Sequence, residues 1–275
     1  MRLVTFAHAD GTAAVGELEG DRVIELAAGS MLEWLGGTGR TRVETSHALD
    51  EVTLLAPVPD PPSVRDFFAY EGHVATGFRL RGADGIPEQW YAAPAFYFSN
   101  PASIRGPGQP VRRPQACRML DFELEIAAVI GAGGEIAGFT LMNDWSARDF
   151  QLGEMAVGLG PAKGKDFATS LGPYLVTPDE LPYTEGRLVL EARVQVNGEE
   201  LSRCHAEEMH FPWPEIVAHA ARDTELRPGD VLGSGTITGG CLLELGPLAG
   251  DRFLEPGDTV ALMAGALGRL EARVV

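Results

Sequence analysis

Glu123, Glu125 and Asp144 are the side chains in this sequence whose types and spacing most directly suggest chemistry. The first two lie in Leu120-Asp121-Phe122-Glu123-Leu124-Glu125-Ile126, where polar and apolar residues alternate as on a strand. Side chains two apart share one face of a strand, so both glutamates point the same way out of an otherwise apolar run. Like charges so close repel, and burying even one unpaired carboxylate is costly. A divalent cation removes both penalties. Oxygen ligands with no thiolate or imidazole pattern beside them suit Mg, Mn or Ca rather than zinc. Alternating Glu also describes an ordinary solvated sheet face. The stretch Met142-Asn143-Asp144-Trp145-Ser146-Ala147-Arg148-Asp149 tips the balance. There Asp144, at a helix start, offers a third oxygen ligand and completes an open site for a hard cation.

Such a site needs strands around it. Met1–His8, Ala13–Glu19 and Arg22–Leu26 read as strands split by Asp10-Gly11 and Gly20-Asp21 turns, with Met31–Leu35 a helical turn or two. Ala56-Pro57-Val58-Pro59-Asp60-Pro61-Pro62 is a stiff connector. It sets a small N-terminal β-rich domain, residues 1–58, apart from residues 59–275. Beyond it, Ser63 to Arg81 reads as helix and Gly85–Trp90 as loop. Strands are expected at Ala95–Phe98, Phe122–Ile130 and Glu135–Met142, and helices at Ser146–Val157 and Pro214–Ala221. The C-terminal third reads as β at Arg187–Val196, Val231–Gly235, Leu242–Leu245, Thr259–Ala264 and Gly268–Val274. Strands and helices do not alternate regularly, which disfavours a doubly wound parallel sheet.

Composition narrows the function classes. With 275 residues and 45% hydrophobic residues, the chain can bury a large core. Its 22 basic and 39 acidic residues give a net charge of −17, which argues against nucleic-acid or anionic-membrane binding. An anionic substrate would therefore need local help from a metal, Arg or Lys. Cys117, Cys204 and Cys241 are odd in number and widely spaced, so a disulfide framework is not expected and a reducing, cytoplasmic setting fits. No apolar run is long enough to span a membrane. Position 159 is Leu and Asp166 follows Gly164-Lys165, so no phosphate-binding GxxxxGK[ST] loop is present, and no Gly-x-Ser-x-Gly elbow occurs. Cys204, His205 and His210 lie close in sequence but lack further ligands for zinc.

One resemblance is specific. Arg65-Asp66-Phe67-Phe68 with His73, Pro94-Ala95-Phe96-Tyr97 with Arg112-Arg113-Pro114, and Asp121–Glu125 are similar to segments of the fumarylacetoacetate hydrolase family. So are Asn143–Asp149 with Gln151, Gly164–Ser170, Gly235-Thr236-Ile237-Thr238-Gly239 and Leu242-Leu243-Glu244-Leu245, all in the family's order. The resemblance runs from about residue 60 to the C-terminus. It implies an α+β, mostly β fold, a mixed β-sandwich roll with a small N-terminal β-rich domain, and a homodimer. It implies that Glu123, Glu125 and Asp144 hold the metal, with Asp66 as a further acidic ligand, and Mg2+, Mn2+ or Ca2+ as the cation. It makes His73 the general base, a role that suits a pKa near neutrality. Glu244 is the preferred orienting carboxylate, with Glu71 a local competitor. Arg148, Gln151 and Lys165 resemble stabilisers of developing negative charge. Lys163 competes with Lys165, and a salt bridge to Asp149 competes for Arg148. Tyr97, Thr236 and Arg79 resemble substrate-contacting positions, with Arg81 an alternative to Arg79. Phe68 departs from the hydrolase branch, which often has Tyr there, and Gly77–Ala93 carries little family signature.

The implied activity is metal-dependent hydrolysis of a carbon–carbon bond in a β-diketo acid or acylpyruvate. Decarboxylation, isomerisation or hydration of a 2-oxoacid would use the same metal site. A binding protein on the same fold is the reading outside enzymes.

Overall fold

The computed structural model describes residues 1–248 and 251–275. Strands Arg2–Ala7, Ala13–Glu19 and Arg22–Leu26 form an antiparallel meander, followed by helix α1, Met31–Leu35, whose first turn is capped by Ser30. A fourth strand, Arg42–Ala48, extends the meander at its edge. Sequence reading does not foresee it, because most of its side chains are exposed and carry no apolar alternation.

The meander does not stand apart. Arg2–Ala7 pairs antiparallel with Thr169–Val176, and that strand pairs with Ile136–Asp144, which pairs with Leu124–Ile130. The sheet continues through Val231–Gly233, Val64–Phe67 and Phe96–Ser99. The contact between Val231–Gly233 and Val64–Phe67 is parallel, so the sheet is mixed. A second, four-stranded antiparallel sheet holds Glu199–His205, Glu191–Val196, Thr259–Ala264 and Arg269–Arg273.

Leu124–Ile130 shows how burial is shared. Every residue of it is buried, which explains its apolar composition. Leu124, Ile126, Ala128 and Ile130 enter the main core, while Ala127 and Val129 enter a second core beside α1. Glu125 shares the parity of Ala127 and Val129 and has no water to face.

Helices ring the site end of the main sheet. They are α2 (Glu71–Leu80), α3 (Glu88–Ala92), α4 (Arg148–Ala156) and α6 (Leu242–Leu245), with α5 (Trp213–Ala220) packed in the core. Three expectations are corrected. Ser63–Arg81 is not one helix, because Val64–Phe67 is a fully buried strand before α2. Gly85–Trp90 is not all loop, because α3 begins at Glu88. Leu242–Leu245 is helix rather than strand. The buried carboxylate of Asp121 accepts from the Leu242 and Leu243 amides at 2.8 and 3.1 Å, which holds that first turn.

Candidate active site

The expected strand pair Glu123 and Glu125 is realised with a change. The regular strand begins at Leu124, and Glu123 lies in the break between Leu120–Asp121 and that strand. Its backbone N–H donates to Asn143 Oδ1 at 2.9 Å. Asp144 does not start a helix. It ends the strand Ile136–Asp144 opposite Thr169, and α4 begins four residues later because Ser146-Ala147 first pairs with Leu120-Asp121.

Asp66 comes from an adjacent part of the sheet, opposite Tyr97 on one side and Gly233 on the other. Gly233 is needed there. A Cβ at that position would lie 2.6 Å from Asp66 Oδ1 and 3.0 Å from Glu125 Oε2. Asp66, Glu123, Glu125 and Asp144 each bring a carboxylate oxygen to within 4.8 Å of the others, and all four are buried.

Such crowding shifts their protonation. Burial, then the Asp144 charge, pushes the Asp66 carboxyl well above the usual range, and burial with Asp66 does the same to Glu125. Burial also raises Asp144, against the opposing pull of Lys165. Glu123 goes the other way. Burial would raise it, but Arg148, Lys165 and His73 together outweigh that and hold it ionised.

Lys165 Nζ donates to Glu123 Oε2 and, at 2.5 Å, to Asp144 Oδ2. Tyr97 donates its hydroxyl to the same Asp144 oxygen at 2.7 Å. That leaves Asp66 Oδ1, both Glu125 oxygens and Asp144 Oδ1 buried without a hydrogen-bond partner among the described residues. Orphaned oxygens in a crowded anionic cage are what a hard divalent cation satisfies, so the donor set fits such an ion.

His73 projects from the first turn of α2 and is 6% exposed. Its Nδ1 lies 3.0 Å from Glu244 Oε2, and its Nε2 is 3.8 Å from Glu123 Oε1. Glu71, the competing partner, instead accepts from the Tyr91 hydroxyl at 2.6 Å. Cys241 donates to Glu244 at 3.3 Å, and burial keeps its thiol protonated.

Arg148 is fixed by a residue the sequence reading did not single out. Its Nε donates to Asp121 Oδ2 at 2.9 Å, while Nη2 lies 2.8 Å from that oxygen and 2.7 Å from Glu123 Oε1. The signal was legible, since Asp121 shares the parity of Glu123 and Glu125. Asp149 is engaged elsewhere, accepting from Arg118 N at 2.8 Å. Gln151 accepts from Arg148 Nη1 at 3.2 Å, as their three-residue spacing on α4 allows. Lys163 is exposed and pairs with Asp166, which leaves Lys165 as the buried lysine.

A cavity of about 310 Å³ opens over these groups. Asp66, Glu123, Glu125, His73 and Lys165 line its polar end, and Tyr97 and Thr236 reach it. Phe68, Leu80, Phe96, Leu152 and Met155 supply its apolar lining, with Phe68 edge-on to His73. Arg81 lines it and Arg79 does not, so the alternative to Arg79 is the one the structure places there. Arg79 is exposed and donates to Thr76 at 3.2 Å.

A mixed β fold brings a four-carboxylate cluster, a His–Glu pair and a buried lysine under one cavity, an arrangement suited to an enzyme site. The chain belongs to the fumarylacetoacetate hydrolase family, whose members are hydrolases and isomerases. The family profile described as fumarylacetoacetate hydrolase C-terminal matches residues 63–275, and one described as Rv2993c-like, N-terminal, matches residues 1–57. Fumarylacetoacetase of Arabidopsis thaliana is 31% identical over 289 residues, covering 80% of this chain and 68% of that protein. The chain thus spans about two thirds of the length of such relatives. Solved structures match over its full length, among them these two. A 5-carboxymethyl-2-hydroxymuconate delta-isomerase from Mycobacterium smegmatis is 28% identical at a TM-score of 0.75, with 99% of that chain covered. A fumarylacetoacetate hydrolase from Exiguobacterium antarcticum is 25% identical at 0.79, also with 99% covered.

Proposed function

We propose that this chain hydrolyses a carbon–carbon bond in an acylpyruvate or related β-diketo acid, using Mg2+ or Mn2+. The observation that carries the reading is the His73–Glu244 pair, 3.0 Å apart, set beside the carboxylate cluster. Water attack on a carbonyl needs a base, and decarboxylation does not.

Glu244 accepting from Nδ1–H fixes the tautomer that leaves the Nε2 lone pair directed toward the cavity. His73 would take a proton from water as its oxygen adds to the acyl carbonyl carbon. The bond between that carbon and the pyruvate methylene then breaks, leaving a carboxylic acid and a pyruvate enolate whose carbon takes the proton back from His73. Asp66, Glu123, Glu125 and Asp144 would hold the cation, which when bound supplies Lewis acidity and two-point orientation of a dicarbonyl. Lys165 would place fixed positive charge next to the reacting oxygens, while Arg148 and Gln151 would keep Glu123 in position. Tyr97 and Thr236 would contact the substrate. Arg81 would meet a carboxylate at the far end of the acyl group, and the apolar wall would receive its carbon chain.

A second reading, isomerisation of a 2-oxo diacid, is favoured by the end-to-end match with an isomerase. There His73 would move a proton between carbons rather than take one from water. We further propose residues 1–58 as a small N-terminal β-rich domain whose sheet runs on into residues 59–275, a homodimer, and a cytoplasmic setting in which the three free, buried cysteines stay reduced.

The test is turnover of a panel of acylpyruvates and unsaturated 2-oxo diacids with Mg2+, Mn2+ or chelator, with products identified by NMR. Cation-dependent release of pyruvate and a carboxylic acid supports hydrolysis. Shifted double bonds with no cleavage would move the assignment to isomerisation, and an unchanged bound ligand would place the chain among binding proteins.

A further inference from the structure

The geometry points to a second metal site, far in the fold from the carboxylate cluster: His8, Glu25 and His47 on the N-terminal meander form a three-ligand site for zinc. Each offers one nitrogen or oxygen, and the three atoms lie within 4.8 Å of one another. His47 Nε2 and Glu25 Oε2 are 3.4 Å apart. Ligands in tetrahedral zinc sites are separated by ~3.3 Å, given bonds of about 2.0–2.1 Å. One edge of the polyhedron is therefore already formed, and small ring rotations close the others.

The sheet is built to bring these residues together. They come from the end of the first strand, the third strand and the edge strand Arg42–Ala48. In a flat sheet, residues three strands apart sit roughly 14 Å apart. Here the His8 and His47 rings are 5.0 Å apart, centroid to centroid. Between the first strand and Glu25, the intervening strand presents the small residues Ala14 and Gly16 on this face, with Leu18 further along opposite Val23. Gly16 pairs with Val4 on one side and Glu25 on the other, and a Cβ there would lie 2.4 Å from Val23 and 3.2 Å from Phe6. The register shifts between Ile24 and Leu26, so Glu25 stands at a bulge, a device that re-aims a side chain. Phe6 packs against both imidazoles, at 5.1 and 5.5 Å, and limits their rotation.

Two imidazoles and one carboxylate are a borderline-soft donor set that favours zinc over Mg or Ca, unlike the all-oxygen cluster under the cavity. All three side chains are only partly buried, so solvent can fill the fourth position. The role that follows is a clamp. The edge strand carries five exposed residues in a row, and the metal ties its last turn of chain to the far side of the meander.

The experiment is a zinc titration of the full chain, first stripped with chelator, in competition with a chromophoric chelator and with Mg2+ in excess. Wild type should take up one more equivalent of zinc than His47→Gln or His8→Gln. Each variant should lose at least about 100-fold in affinity at that equivalent, the upper end of what removing a mere supporting group costs. Cobalt(II) should give visible bands of a four- or five-coordinate site that vanish in both variants, while circular dichroism remains that of wild type. Equal zinc stoichiometry in all three proteins, or cobalt spectra unchanged by the substitutions, would overturn the site and leave an ion pair packed on Phe6. Glu25→Gln guards against a variant that fails to fold, since it should weaken zinc while keeping the aromatic packing.

Discussion

At the residue scale, the site is a set of charges that cannot be independent. His73 has Glu244 on one nitrogen and faces the cavity with the other. His73→Ala is expected to lower kcat for hydrolysis by about 10²–10⁴ while leaving cation affinity near wild type. Steady-state kinetics beside calorimetric Mn2+ titration checks both halves, and undiminished kcat would remove His73 as the base. Gly233 acts through space alone. Gly233→Ala should push Asp66 and Glu125 apart, because its methyl falls within 2.6 Å of one carboxylate oxygen and 3.0 Å of the other. Weaker Mn2+ binding with an unaltered circular dichroism spectrum is the expected result, and unchanged affinity would show that the cage can yield. Arg81 tests substrate choice. Its loss in Arg81→Ala should raise KM for substrates with a terminal carboxylate and spare neutral-tailed ones, as parallel KM measurements would reveal. Equal effects on both would make Arg81 a structural cap over Phe78, whose ring lies 4.3 Å away.

At the scale of elements, the candidate ligands Glu123, Glu125 and Asp144 were legible because polar residues interrupt apolar strands, and three carboxylates in such runs need a partner. Their secondary structure was less so. Asp144 reads as a helix start because Ser146 to Val157 has helical spacing, yet two residues of cross-strand pairing delay α4 to Arg148. The strand Val64–Phe67 was hidden because four residues are too few to show a period, and Leu242–Leu245 because its helical turn is held by Asp121, distant in sequence. Long-range hydrogen bonds of this kind leave no local trace. Another such device joins the second sheet. Asp258, in the turn before Thr259–Ala264, accepts from Arg252 Nη1 at 2.5 Å, Asn197 Nδ2 at 2.8 Å and Glu255 N at 2.8 Å. Burial opposes its charge, but these donors win and lower its pKa to about 2. A depressed carboxyl contributes stability that is full above its unfolded value, near 4, and lost as pH falls toward 2. Asp258→Asn should therefore cost about 1–2 kcal/mol at pH 7, discounted for the partly exposed Arg252, and cost little near pH 2. Urea unfolding at the two pH values measures this, and an equal loss at both would assign the effect to packing.

For the whole molecule, the carboxylate cage trades stability for binding. Four buried carboxylates converge on Lys165 and a shared Arg148, so the cation-free protein holds carboxyl groups that its interior disfavours as anions. Asp66 and Glu125 have folded pKa values raised above their unfolded values, by burial first and by each other. The folded chain then binds more protons than the unfolded chain, and stability without cation falls as pH rises above about 4. Glu123, held ionised, acts with the opposite sign and contributes stability that is lost as pH drops below about 4. A cation that binds only the folded state displaces the protons on Asp66 and Glu125, so its affinity grows as pH rises. At a hundred times its dissociation constant it adds about 2.7 kcal/mol, which for a chain of this size is about 5–10 °C in Tm. The rise in Tm on adding Mn2+ to chelated protein should thus be larger at pH 8 than at pH 6. Asp66→Asn removes one raised carboxyl and one proposed ligand together. It should raise the Tm of the chelated protein and shrink the Mn2+ response. Differential scanning calorimetry on the four combinations decides it. A variant less stable than wild type without cation would mean that Asp66 is paid for by contacts within the sheet, and that the cage is not strained.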